Sequence, residues 1–117
     1  MVEMMRRGEI WTANLNPNKG SEIGKVRPVL ILQDDGMIAS GLATILVAPL
    51  TSQFRPIFAP LRVKITARNR LTQDCFVMIE HIRALDRSRF GEGPLATLTA
   101  EEMATVEKSL RGVMGML

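Results

Sequence analysis

Three features of the sequence predict a mainly β fold closed by one C-terminal helix. Short apolar or alternating runs recur at close spacing from Glu9 to Leu85, divided by clusters of Gly, Pro, Asn and Asp, the punctuation of a meandering sheet. Alternation is strict in Leu61-Arg62-Val63-Lys64-Ile65, which sends successive side chains to opposite faces of a strand. After Leu98 the period becomes helical, with apolar residues at Met103, Val106, Leu110, Val113, Met114 and Leu117. Short strands followed by one helix fit a small, strongly curved antiparallel sheet or partial barrel.

Taken in order, Glu9–Leu15 alternates as a half-buried strand with Ile10 and Trp11 on opposite faces. Asn16–Ser21 is dense in turn formers and predicts a loop that runs on to Lys25. Val29–Leu32 predicts a buried strand. Pro28 belongs at its first position, because it has no N–H to give a ladder, and it biases Arg27 toward an extended backbone. Asp34-Asp35-Gly36 ends that strand, and Met37–Leu42 predicts loop or a short helical turn. Thr44–Leu50 is continuously apolar and predicts a strand buried on both faces. Leu61–Ile65 follows as a strand with one wet, cationic face, and Arg68–Asp74 as a charged turn. Cys75–Ile79 and Ile82–Leu85 predict two strands interrupted at Glu80-His81, where lost alternation marks a bulge or a functional site. Thr99-Ala100-Glu101-Glu102 predicts a capping box at the helix start, with Leu98 and Met103 as its staple.

Composition bounds the function. With 117 residues, the chain has the length of one domain and one core. No apolar run approaches the length of a membrane span. Met1–Arg7 lacks an apolar stretch behind its arginines, so no secretory leader is expected. A single cysteine, Cys75, predicts a reducing, cytoplasmic setting. The net charge of +3 comes mostly from arginine, whose planar fork suits phosphate. Aromatic residues are only 4%, so binding of single-stranded nucleic acid is expected to lean on hydrogen bonds and arginine stacking rather than aromatic platforms.

Several motifs fail. Gly20-Ser21-Glu22-Ile23-Gly24-Lys25 imitates a phosphate loop, but its glycine spacing is short, Val26 replaces the required hydroxyl and a strand follows. His81 and Cys75 alone cannot supply a zinc site. No nucleophile elbow is present, and one histidine leaves little material for a serine or cysteine hydrolase. Lys25, Arg27, Thr51, Ser52, Gln53, Glu80 and His81 remain, all at predicted strand ends or interruptions. A cation, hydroxyls and a carboxylate suit phosphodiester transesterification in RNA, where the ribose 2′-OH is the nucleophile and no metal is required. The protein must accept that proton, stabilise charge on phosphate and protonate the leaving 5′-oxygen.

Arg7-Gly8-Glu9-Ile10-Trp11, Leu15-Asn16-Pro17, Gly20-Ser21-Glu22, Arg27-Pro28-Val29-Leu30, Pro49-Leu50-Thr51-Ser52 and Ile82-Arg83-Ala84-Leu85-Asp86 occur in order. In this order and spacing they resemble the MazF/PemK family of toxin endoribonucleases, over nearly the whole chain. The resemblance implies one toxin domain over residues 1–117 with the SH3-like small antiparallel barrel of MazF, PemK and CcdB. It implies a homodimeric, cytoplasmic, sequence-specific endoribonuclease of a type II toxin–antitoxin pair, working without metal or cofactor. Such an enzyme cuts single-stranded RNA, with messenger RNA and also ribosomal or transfer RNA as candidate targets. It leaves 2′,3′-cyclic phosphate and 5′-OH ends, stops translation and growth, and is held in check by a cognate antitoxin protein.

By position, the resemblance carries catalysis to Arg27 and Thr51, and to Glu80 as the acidic position that some plasmid-borne members use as a base. Glu22 and Ser52 fall where the family covers or contacts RNA. Lys25, Gln53, Arg55, Arg62, Lys64, His81 and Arg83 complete the expected RNA-binding set. His81 stands where glutamine is common, Met78 where those plasmid members carry arginine, and Ser21 where they carry histidine, so their acid–base assignment does not transfer whole. From the residues alone, Arg27 has an ion pair with Glu22 or Glu80 as its alternative role, Thr51 a turn cap, and Glu80 a pair with Arg83. A gyrase-poisoning toxin of the same fold is the competing activity, although the chain end Val113–Leu117 lacks an aromatic residue to insert. A non-catalytic nucleic-acid-binding barrel is the third.

Overall fold

The computed structural model describes residues 5–17, 19–21 and 24–116, and for residues 58–60 the backbone only. The expectations for Glu22 and Leu117 therefore lie outside the described residues. In chain order the elements are β1 (Glu9–Asn14), β2 (Val26–Ile31), α1 (Asp35–Ala39), β3 (Thr44–Thr51), β4 (Arg62–Ile65), β5 (Cys75–Met78), β6 (Arg83–Asp86), β7 (Ala96–Thr97) and α2 (Ala100–Met114). The strands form one curled, antiparallel sheet in the order β4-β5-β3-β2-β1-β7, with β6 also paired to β3. The fold is a half-barrel with a C-terminal helix.

Alternation explains how the sheet is covered. Ile10, Leu30, Ala48, Leu50, Ile65 and Val77 point into the curl, where Met103 and Val106 of α2 close the core. Trp11, Ala13, Val29, Ile31, Ile45, Val47 and Leu85 point the other way, into a second cluster capped by Ile38 of α1. Ile10 and Trp11 do lie on opposite faces, but β1 is buried on both, not on one. Thr44–Leu50 shows the converse: Thr44 and Leu46 are exposed, and β3 is buried on both faces only from Val47 onward.

Pro28 is the third residue of β2 rather than the first. The strand tolerates it because Thr12, its partner on β1, turns its N–H to Glu92 O and its C=O to Gly91 N, at 2.8 and 2.9 Å. The Thr12–Pro28 pair thus exchanges no bonds, and the β2–β3 ladder has already stopped at Val29–Pro49.

The interruption at Glu80-His81 is a 3₁₀ turn over Ile79–His81, not a bulge. It lets one stretch of chain pair twice along the same side of β3. β5 matches the end of β3 (Leu50 with Val77, Thr51 with Phe76), and β6 its beginning (Thr44 with Asp86 through Val47 with Arg83).

The capping box of α2 is complete: Glu102 N donates to Thr99 Oγ1 at 3.1 Å, and Thr99 N to Glu102 Oε1 at 2.9 Å. Both oxygens of Glu102 also accept from Arg68 at 2.6 Å, tying the 68–74 turn to the helix start. Arg68 is thus a structural residue of that charged turn. The apolar stripe of α2 is buried only at Met103 and Val106; Leu110 is half-buried, and Val113 and Met114 are exposed. Farther along, a groove of about 590 Å³ separates α2 from β4, lined by Leu61, Val63, Lys64, Lys108, Ser109 and Val113 among others. No helix among the described residues is long and apolar enough to cross a membrane.

Candidate functional site

The β1–β2 loop is pinned at its neck. Leu15 N donates to Lys25 O at 2.9 Å, and Lys25 N to Asn16 Oδ1 at 2.8 Å. Lys25 has φ +62°, a left-handed conformation that a non-glycine residue adopts only where the surroundings impose it. The chain then enters β2 with Arg27 as its second residue.

Arg27 is half-buried, and its Nε donates to Gly24 O at 3.2 Å. Burial lowers its pKa from the ordinary arginine value, so the guanidinium is partly stripped of water and its charge is correspondingly stronger toward an anion. Together with Lys25, Ser52, Arg70 and Gln73, Arg27 lines a cavity of about 260 Å³ at the start of β2. Arg70 is already paired with Glu92 at 2.7 Å. Continued two residues past its last pair, the β2–β3 register sets Arg27 opposite Thr51, on the face of Val29 and Val47.

Thr51 is the sole buried polar residue among those described, 8% exposed. Its Oγ1 accepts from Gln53 N at 3.2 Å, so the turn-capping role is present. That bond uses a lone pair and leaves the hydroxyl proton available to a phosphate oxygen. Ser52 and Gln53 are exposed beyond it, with Gln53 Oε1 accepting from Arg55 at 3.0 Å.

Glu80 stands apart from this cavity. Its Oε2 accepts from Arg62 Nε at 3.1 Å and Nη2 at 2.7 Å, and His81 Nε2 lies 3.9 Å away. The Glu80 partner is Arg62, neither Arg83 nor Arg27. The side chain of Arg62 is only 9% exposed, so the cationic face of Leu61–Ile65 is wet at Lys64 but not at Arg62. Glu80 Oε1 is buried without a hydrogen-bond partner. Arg83 sits half-buried on β6 opposite Val47.

A second cavity, of about 210 Å³, lies on the outer face of β4 and β5 and is lined by Phe54, Arg55, Arg62, Lys64 and Phe76. The two phenylalanines escaped the sequence reading, which weighed aromatic residues only by their number. A signal was present: Phe76 alternates with the buried Cys75 and Val77, so it had to face outward beside Lys64. No three His, Cys, Asp or Glu side chains come together among the described residues as a metal cluster would require.

The family model of the PemK-like, MazF-like toxin of type II toxin–antitoxin systems matches residues 6–114. The chain belongs to this family. Its toxin fold is shared with MazF from Deinococcus radiodurans, whose crystal structure superposes with a TM-score of 0.83 at 28% identity, covering 98% of this chain and 100% of that one. In sequence it is 36% identical to the endoribonuclease MazF of Staphylococcus saprophyticus, over 97% of this chain and 93% of the relative. The toxin also resembles a MazE–MazF crystal structure from Deinococcus radiodurans, with a TM-score of 0.78 at 27% identity and coverage of 99% and 100%.

Proposed function

We propose that this toxin is an endoribonuclease that cuts single-stranded RNA at a short sequence, without metal, and so halts translation. The observation that carries the proposal is Arg27: a half-buried, partly desolvated cation at the end of a core strand, with Lys25 and Ser52 in the same cavity and Thr51 on the neighbouring strand. Similarity to a relative named endoribonuclease MazF supports the same reading.

The scissile phosphate sits against Arg27 and the Thr51 hydroxyl. The ribose 2′-OH gives up its proton and attacks phosphorus, the bond to the 5′-oxygen breaks as that oxygen takes up a proton, and the products are a 2′,3′-cyclic phosphate and a 5′-OH. The Arg27 guanidinium holds the charge that grows on the nonbridging oxygens, the kind of preorganised donor worth about 10²–10³ in rate. Thr51 fixes the orientation of the phosphate. Glu80 holds Arg62 in place, and serving as proton acceptor would require that pair to open.

Lys25, Ser52, Gln53, Arg55, Lys64, His81 and Arg83 carry the RNA on either side. The functional unit is a homodimer of one-domain chains in the cytoplasm, blocked by an antitoxin of the MazE kind; similarity to a MazE–MazF structure supports that partner. The decisive experiment incubates the purified protein with a mixed single-stranded RNA pool in excess EDTA and maps the ends. Cleavage with cyclic phosphate ends, lost in Arg27→Ala, is expected. Intact RNA, or cleavage that Arg27→Ala leaves unchanged, overturns the proposal.

A further inference from the structure

Phe54 and Phe76 meet with ring centroids 5.4 Å apart and planes tilted by 43°. Phe76 is paired with Thr51 on one side and with Lys64 on the other. Directly paired residues share a face of the sheet, so the Phe76 ring projects beside the hydroxyl proposed to orient the scissile phosphate. Phe54 follows Thr51 by one turn of chain and leaves 60% of its surface exposed. Core packing does not explain a phenylalanine that open. Arg55, Arg62 and Lys64 complete the cavity, and Glu80 fixes Arg62 at its edge.

At about 210 Å³, the cavity is smaller than the ~300–1,000 Å³ of sites for drug-sized ligands. It suits one flat ring rather than a whole nucleotide chain. Aromatic faces bind bases of any sequence because every base has a π-face, and the cations at the rim suit the phosphates that flank a stacked base. Tilted rings do not sandwich a base, so it lies on one ring and meets the edge of the other.

We propose that Phe54 and Phe76 form a base-stacking subsite that receives the nucleobase next to the scissile phosphate, with Arg55, Arg62 and Lys64 at its rim. The subsite rests on the ribonuclease reading and adds to it a residue pair that anchors the base beside the cut whatever its identity. It replaces the expectation that recognition here does without aromatic platforms.

The test uses an RNA oligomer carrying the mapped cleavage site, made uncleavable by 2′-O-methylation. Phe54→Leu keeps apolar bulk and removes the π-face; Phe54→Trp keeps both. Phe54→Leu and Phe76→Val are expected to bind roughly 5- to 150-fold more weakly, the range that corresponds to the loss of one base stack. Phe54→Trp is expected to retain affinity, with its fluorescence quenched by the oligomer. Replacing the base beside the cleavage site with an abasic unit should weaken wild-type binding and leave Phe54→Leu nearly unchanged. Wild-type affinity in Phe54→Leu overturns the subsite while leaving the nuclease standing. So do variants that bind RNA normally yet escape an antitoxin, because the cavity would then belong to the protein partner. If the wild-type protein neither binds nor cuts RNA, the ribonuclease reading fails first, and the subsite with it.

Discussion

Replacing Glu80 by glutamine separates two roles for the one acidic residue that both sequence and structure single out. The Arg62–Glu80 contact is two hydrogen bonds to one carboxylate oxygen, with side chains 9% and 21% exposed. Exposed ion pairs contribute ~0.2–1 kcal/mol, and breaking a buried one costs ~3–5 kcal/mol. This pair lies between, so Glu80→Ala should destabilise the fold by about 2 kcal/mol. Glutamine still accepts a hydrogen bond but carries no charge, so Glu80→Gln should cost about 1 kcal/mol. For a chain of this size that is roughly 4 °C in Tm per kcal/mol. Urea denaturation of Glu80→Ala, Arg62→Ala and the double variant closes the cycle, with a coupling energy of about 1–2 kcal/mol expected. In RNA cleavage, Glu80→Gln should raise KM through a loosened Arg62 and leave kcat and its pH profile nearly unchanged. A variant of wild-type stability whose kcat at saturating RNA falls by 10² or more would refute this and make Glu80 the proton acceptor.

Three further outcomes follow from the geometry. A Cβ at Gly93 would lie 2.1 Å from the Trp11 ring, which is buried and cannot retreat. Gly93→Ala should therefore cost about 1–3 kcal/mol, read as a fall in Tm, and wild-type stability would show that the ring yields. Arg68, by its hydrogen bonds, and then Thr99 hold the Glu102 carboxyl below the usual carboxylate range. A depressed acid contributes stability above its unfolded pKa of ~4.3 and loses it as pH falls through the folded value. The Tm advantage of the wild type over Glu102→Gln should accordingly be full near neutrality and shrink below about pH 4.3; a gap that widens in acid would contradict the pairing. Burial, and secondarily the charge of Asp74, push the Cys75 thiol up. Iodoacetamide at neutral pH should label Cys75 slowly in the folded protein and readily in urea, and equal rates would place the thiol at the surface.

Local pattern carried much of the architecture. Thr99 and Glu102 specify the start of α2 because a capping box is satisfied within four residues of chain. Leu61–Ile65 specifies β4 because its period is two. β7, by contrast, is two residues held by a register with Glu9 and Ile10, and nothing local distinguishes Ala96-Thr97 from a loop. The groove beside α2 was hidden for a similar reason: Val113 keeps the helical period, but a gap separates it from the β4 residues across the groove, and no local pattern records that gap.

The site divides in the same way. By itself the sequence determined the residue types and their order: a cation before Pro28, hydroxyls after Leu50 and an acid in an interrupted strand, together with the family these belong to. Each of those is fixed by neighbours in the chain. Tertiary structure alone decided who partners whom. Glu80 and Arg62 are eighteen residues apart and meet because β4 pairs with β5. Phe76 joins Phe54 and Thr51 because β5 pairs with the end of β3. Register across strands is set by the packing of both sheet faces at once, and no window of sequence contains it.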